Sequence, residues 1–248
     1  MKRITYANTV AFAIFMSLPP LIWSGQAAAR STVEDFQTWE GLIVTGSVAP
    51  NSQTWKPFRY WMEGQVRLGN DSSRFSQGVI RPALGYAVND RTSLWLGGDW
   101  VPTSRPFALK DDFNEYRSWQ QVLWSDHLSF GTVLSRSRFE QRLFDIPGTE
   151  DVGHRYRQLL KVSIPLPMIF PDVSLVLADE IFVNLIHADA TSIRQGFDQN
   201  RAMAGFACRI DQTTVVEVVY MNQYLSRKDT PRPDQMQYVL LTTIFFDY

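Results

Sequence analysis

The 248-residue chain has one cysteine, Cys208, and three histidines. A lone thiol excludes an intramolecular disulfide framework, and so few cysteines and histidines leave no paired cluster for a structural zinc. After the first thirty residues no run approaches the roughly 20 apolar residues a helix needs to cross about 30 Å of hydrocarbon. No segment of useful length repeats its apolar residues at the helical period. A phosphate-binding loop is also absent, because GLIVTG (41–46) and LGGDW (96–100) lack the lysine and the following helix. Positive charge is not in excess. The 24 Lys and Arg stand against 25 Asp and Glu, a formal net charge of −1, so nothing points to a nucleic-acid partner.

What is present begins with an export signal. MKRITYANT is cationic, VAFAIFMSL is a compact apolar stretch interrupted by Pro19-Pro20, and Ala27-x-Ala29 has the small residues of a signal-peptidase site. The expectation is a signal peptide over 1–29, cleaved near Ala29, and one domain over 30–248. No cysteine sits at that junction, so no lipid attachment is indicated there.

The rest breaks into stretches rich in β-branched and aromatic residues and separated by turn residues. The expected strands are 38–48, 54–69, 74–88, 92–101, 114–125, 128–143, 154–164, 173–186, 198–210, 213–224 and 236–248. Short connections (AVNDRT, WSDHLS, RIDQTT) alternate with long polar ones (VPTSRPFALKDD, FDIPGTEDVGH, IHADATSIRQG, YLSRKDTPRPD), and IPLPMIFPD is the exception. Tight turns at one end and long loops at the other is the pattern of an outer-membrane barrel. Single-chain bacterial barrels use an even number of strands. Eleven candidates therefore imply ten, if 38–48 is not a full strand, or twelve, if two strands are fused. The fold expectation is an all-β, antiparallel transmembrane β-barrel of 10–12 strands, with twelve preferred.

Side chains alternate with period two. In MQYVLLTTIFFDY (236–248), Tyr238, Leu240, Ile244, Phe246 and Tyr248 share an apolar face. In SRSRFEQR (135–142), every charge (Arg136, Arg138, Glu140, Arg142) lies on one face of a strand. Such a face meets either water or an enclosed polar interior in which the charges neutralise one another.

The succession NEYRSWQQ, SRSRFEQR, HRYRQLLKVSIPLP, ADEIFVNL, FDQNRAMAGFACRI and VEVVYMNQ resembles a group of proteobacterial proteins filed as a domain of unknown function, the "twenty-four-ninety" family, and described as outer-membrane β-barrels. The resemblance covers nearly all of 30–248, most firmly 114–248. Cys208 departs from it, standing where an aromatic or small residue is expected. It implies a fold and a location, and no activity. The terminal IFFDY is similar to the C-terminal assembly signal of such barrels, which implies the barrel assembly machinery as a partner beside outer-membrane lipid.

The inward set read from the alternation is Glu115, Arg117, Gln121, Arg136, Arg138, Glu140, Arg142, Arg155, Arg157, Glu180, Asn184, Arg201, Glu217 and Gln223. A hairpin about FDIPGTEDVG would set Glu140 opposite Arg157 and Arg142 opposite Arg155. Two roles follow. One is a closed structural or ligand-binding barrel held by a salt-bridged plug, since small lumens are filled by side chains. The other is a narrow, porin-like channel or transport protein in which seven arginines against four glutamates favour a small anionic solute. An outer-membrane lipid-modifying enzyme is a third reading. His127 falls in a turn, His154 and His187 at loop edges, and outward Ser135 and Ser137 pair near 160–163, away from His154. No catalytic residue, cofactor or metal site is assigned. His187 with Asp189, and Asp198 with Asn200, are the sole metal-like pairs considered, and neither has a supporting cluster. A soluble exported β-sandwich is the rival fold.

Overall fold

In the computed structural model, the described residues are 32–108, 111–148, 152–186, 193–227 and 233–248. The expected leader 1–29 and its expected cleavage site lie outside them. So does the His187–Asp189 pair. Eleven strands make up the fold, with no helix among the described residues. They are β1 (Thr32–Ser47), β2 (Phe58–Gly69), β3 (Arg74–Ala87), β4 (Thr92–Thr103), β5 (Phe113–Leu128), β6 (Gly131–Asp145), β7 (Gly153–Pro165), β8 (Val173–Asn184), β9 (Gly196–Arg209), β10 (Thr214–Leu225) and β11 (Asp234–Asp247).

Each strand pairs antiparallel with the next, and the sheet closes into a barrel where β1 meets β11. The preferred count of twelve and the wholly antiparallel ladder are both corrected. No candidate strand hides a second one, and the first is a full stave that starts at Thr32 rather than Thr38. With an odd number of alternating strands the first and last run the same way, so their seam must be parallel. It is, from Thr32↔Asp234 to Thr45↔Asp247. Closure through this seam removes both sheet edges, which would otherwise leave a row of unpaired backbone groups.

Odd strand number also puts the start of β1 and the end of β11 at opposite rims. At the Asp247 rim lie the connections 48–57, 88–91, 129–130, 166–172 and 210–213; at the Thr32 rim lie 70–73, 104–112, 146–152, 185–195 and 226–233. Long connections thus predominate at the Thr32 rim, with 70–73 as the short exception there.

The period-two alternation sets the two faces of the wall. Outward are Leu42, Met62, Ile80, Leu84, Leu96, Val122, Leu160, Leu177, Phe206, Val218 and Leu240, all exposed. One outward sector, over β5–β9, is polar and bonded to itself. Ser118 donates to Gln141 at 2.7 Å, Ser137 and Tyr156 donate to Gln158, and Asn200 donates to Asp179 at 3.0 Å. Inward side chains fill two zones. Towards the Asp247 rim the lining is mainly apolar, with Leu123, Leu134, Leu159, Val176, Met203 and Leu241. Around and above the middle it is ionic.

Candidate functional site

Two buried carboxylates organise the ionic zone. Glu140, on β6, lies directly across from Arg155 on β7, whose Nε and Nη2 approach its Oε2 at 2.9 and 2.6 Å. Its other oxygen accepts Arg157 Nη1 at 2.7 Å, and Arg138 Nη1 stands 3.8 Å away. Arg157 then reaches Glu180 on β8 with Nε and Nη2, at 3.0 and 2.7 Å. Glu180 also accepts Arg136 at 2.8 Å and faces Arg201 at 3.6 Å. The guanidinium fork can bridge two carboxylates, which lets so few acids hold so many arginines.

The expected hairpin register is off by two. Glu140 pairs with Arg155, Arg138 pairs with Arg157, and Arg142 faces Gly153. The two strands run past their expected ends, β6 to Asp145 and β7 from Gly153, which shortens the connection to 146–152, and sliding by two preserves which face each residue occupies.

A second ionic string runs along β2–β6. Arg81 binds Asp99 through Nε and Nη2 at 2.8 and 3.0 Å and Glu63 through Nη1 at 2.6 Å. Asp99 also accepts Trp119 Nε1 at 2.7 Å and lies 3.5 Å from Arg117. Arg117 is bidentate to Glu115, which accepts Arg142 Nε as well. Aromatic rings line these cations. Arg138 stacks 3.9 Å above Trp119, and Arg155, Arg157 and Arg201 surround Phe182 at 5.1, 4.5 and 4.7 Å. Below both strings Lys161 Nζ and Glu217 Oε2 form a pair across the apolar zone.

All fourteen residues of the inward set point into the lumen. Eleven belong to the two strings: Glu115, Arg117, Gln121, Arg136, Arg138, Glu140, Arg142, Arg155, Arg157, Glu180 and Arg201, with Gln121 Oε1 accepting Arg138 at 2.6 Å. Gln223 accepts Arg201 Nε at 2.6 Å and donates to Gln237. Asn184 lies at the Thr32 rim, donating to Arg194 O. Glu217 stands apart with Lys161. Sequence reading missed Glu63, Arg67, Arg81, Asp99 and Lys161, although each has the inward parity of its strand; RYWMEGQVR carries Trp61, Glu63, Gln65 and Arg67 on one face.

Nine arginines (67, 81, 117, 136, 138, 142, 155, 157, 201) thus share the zone with six carboxylates (63, 99, 115, 140, 180, 198). A cavity of about 1490 Å³ remains beside them. Its lining includes Val33 and Asp112 towards the Thr32 rim and Thr45 and Asp247 towards the other.

Neither described histidine, His127 or His154, belongs to a triad. His127 Nδ1 meets Thr132 Oγ1 at 3.0 Å near the β5–β6 turn, as one of the last residues of β5 rather than in the turn itself. His154 faces outward against the Phe139 ring, whereas Ser137 bonds Gln158, four residues further along β7. Asp198, an extra residue at a bulge in β9, turns to Arg155, and Asn200 turns outward to Asp179. No group of three or more metal-ligating residues forms among the described residues.

Residues 36–236 match a family described as "Protein of unknown function (DUF2490)". An uncharacterised protein of Methylorubrum extorquens is 34% identical over 230 residues, covering 92% of this chain and 94% of that one.

Proposed function

The chain belongs to the DUF2490 family, whose description names no function, and from its geometry we propose an outer-membrane barrel with an anion-favouring passage. The observation that carries this reading is the inversion of the wall. Large apolar side chains such as Leu84 and Leu96 are 67% and 62% exposed on the outside, while Arg138 and Glu140 are 0% exposed inside. Water gives no reason for that arrangement, and acyl chains do. The outward polar sector supports the same reading through its mutual hydrogen bonds, which lower the cost of polar groups facing lipid.

The long connections then face outward from the cell and the Asp247 rim faces the periplasm. The terminal Tyr248 would be offered to the assembly machinery there. Inside, three more arginines than carboxylates make the ionic zone attractive to anions and repulsive to cations, and a cavity lined from rim to rim gives such a solute a path. The test is single-channel conductance in a planar bilayer under a salt gradient. The expected result is a small current reversing on the anion side, with weaker selectivity in Arg136→Ala, whose side chain lines the cavity. A silent bilayer overturns the passage.

The second reading, a closed barrel, is favoured by one observation: Glu140 and Glu180 together tie five arginines drawn from β6, β7 and β9. Such a knot could hold the lumen shut, and the silent bilayer is its signature.

A further inference from the structure

We propose that the lumen holds a small oxyanion, a phosphate or carboxylate group, between Arg67 and Arg201 beside Trp39. This rests on the passage proposed above, in that solutes must reach the lumen, and it names the class of solute and the place where it stops.

The cations of the ionic zone are not equally neutralised. Arg67, on β2, has no carboxylate within ion-pair distance among the described residues. Its Nε donates to Gln65 Oε1 at 2.7 Å and its Nη1 to Gln77 Oε1 at 2.6 Å. Arg201, on β9, donates through Nε to Gln223 at 2.6 Å, and its one carboxylate, Glu180, presents Oε2 at 3.6 Å, beyond hydrogen-bond distance, while its Oε1 is shared by Arg136 and Arg157. The Nη2 groups of both arginines donate to nothing among the described residues. An enclosed cation without a counter-charge is costly, so this pair is where a mobile anion gains most.

The two guanidinium groups are also positioned together. Both sit on the ring of Trp39, at 3.8 and 5.1 Å from its centre, and both line the cavity. Trp39 itself is fixed, buried and donating Nε1 to Gln37 at 2.9 Å. The surrounding amides spend their oxygens on the arginines, leaving donors: Gln65 Nε2 bonds to nothing among the described residues. The deeper atoms left without a hydrogen-bond partner in the ionic zone, Gln121 Nε2, Arg136 Nε and Arg138 Nη1, are donors too. A site in which unpaired donors outnumber the one nearby carboxylate, Glu180, disfavours cations and neutral acceptor-poor solutes. Guanidinium forks match paired oxygens, which a phosphate or carboxylate has and chloride lacks. Stacking on one indole holds the forks in place before the anion arrives, so less freedom is lost on binding.

The test uses the full barrel folded in detergent micelles, titrated with inorganic phosphate at constant ionic strength, with chloride as comparator. Calorimetry is expected to show saturable phosphate binding and none for chloride. Arg67→Gln and Arg201→Gln should each weaken it at least tenfold, while Arg91→Gln, at an exposed turn, should leave it unchanged. Trp39→Phe should abolish any saturable fluorescence change while calorimetric binding persists. If Arg67→Gln loses the heat-modifiable gel mobility of a folded barrel, Arg67→Lys keeps the charge without the fork and should bind at least fivefold more weakly. Phosphate behaving as chloride does, or a folded Arg67→Gln/Arg201→Gln protein binding as the wild type does, overturns the site. The two proposals fail separately. A silent bilayer with Arg67-dependent phosphate binding removes the passage and keeps the site; an anion-selective current without such binding removes the site and keeps the passage.

Discussion

Arg138 lies with its guanidinium carbon 3.9 Å above the centre of the Trp119 ring, and neither side chain touches solvent. Its closest hydrogen-bond acceptor is an amide, Gln121 Oε1, at 2.6 Å, while its nearest carboxylate, Glu140, stands 3.8 Å off and is shared with Arg155 and Arg157. Arg138 is therefore a buried cation held by a ring and an amide more than by opposite charge.

That asymmetry predicts unequal costs. Arg138→Met keeps the volume over Trp119 and relieves repulsion among the arginines, so its unfolding free energy should fall within about 1 kcal/mol of wild type or rise above it. Glu140→Gln removes the charge shared by three guanidinium groups and should cost about 3–5 kcal/mol. Urea unfolding of the reconstituted barrel reads both. Equal losses in the two variants would show that Arg138 is neutralised as fully as its neighbours.

Trp119 makes a second demand, on Gly97. A Cβ at Gly97 would come within 2.3 Å of Trp119 Cζ2 and 2.7 Å of Ala83 Cβ. Trp119 cannot swing away without breaking its 2.7 Å bond to Asp99. Gly97→Ala should therefore destabilise the barrel by about 1–3 kcal/mol, the usual range for overpacking. Adding Trp119→Phe should recover part of that loss, and a double-mutant cycle would measure the coupling. Additive losses would mean that the strand moves aside instead.

Most of this architecture was legible because the wall is one residue thick. Parity alone assigns Arg136, Arg138, Glu140 and Arg142 to one side, and no later packing can reverse it. Parity says nothing of register, so the sequence alone sets Glu140 against Arg157 when it faces Arg155. Strand number failed for a related reason. Each of the eleven segments reads correctly by itself, but whether β1 meets β11 in parallel depends on closure, a property no single segment carries. Arg67 carries no such signal because its neighbours are glutamines, which make no charge pattern; the same lack of acids is what leaves it unneutralised.

The turn at 210–213 predicts a response to acid. Thr213 N–H, together with the Thr214 hydroxyl and backbone N–H, donates to the Asp211 carboxylate, and these bonds hold its pKa below the ordinary aspartate value. A carboxylate lowered on folding adds stability that is complete above its unfolded pKa and fades as the pH falls through the folded one. Amide protection at Thr213 and Thr214 should therefore decline below about pH 4, the region of an unperturbed aspartate. Asp211→Asn should flatten that dependence. A wild-type turn whose protection ignores pH over this range would remove the carboxylate from the account.

The outward face decides between lipid and water most directly, through Leu96. This side chain sits near the middle of β4, 62% exposed, with Leu84 its outward neighbour on β3 and Gln120 on β5. On a barrel bathed in water, Leu96→Arg adds a solvated charge to an exposed position, and such surface changes stay within about 0.5 kcal/mol. On a barrel bathed in acyl chains, the same arginine must be desolvated or snorkel to a headgroup, at about 2–4 kcal/mol near the midplane. The measurement is the unfolding free energy of wild type and Leu96→Arg in lipid vesicles, with Arg91→Gln at the rim as a control for handling. A loss in the larger range places hydrocarbon against β4. A change near zero would return the apolar wall to water, leaving its exposed leucines without a solvent to explain them.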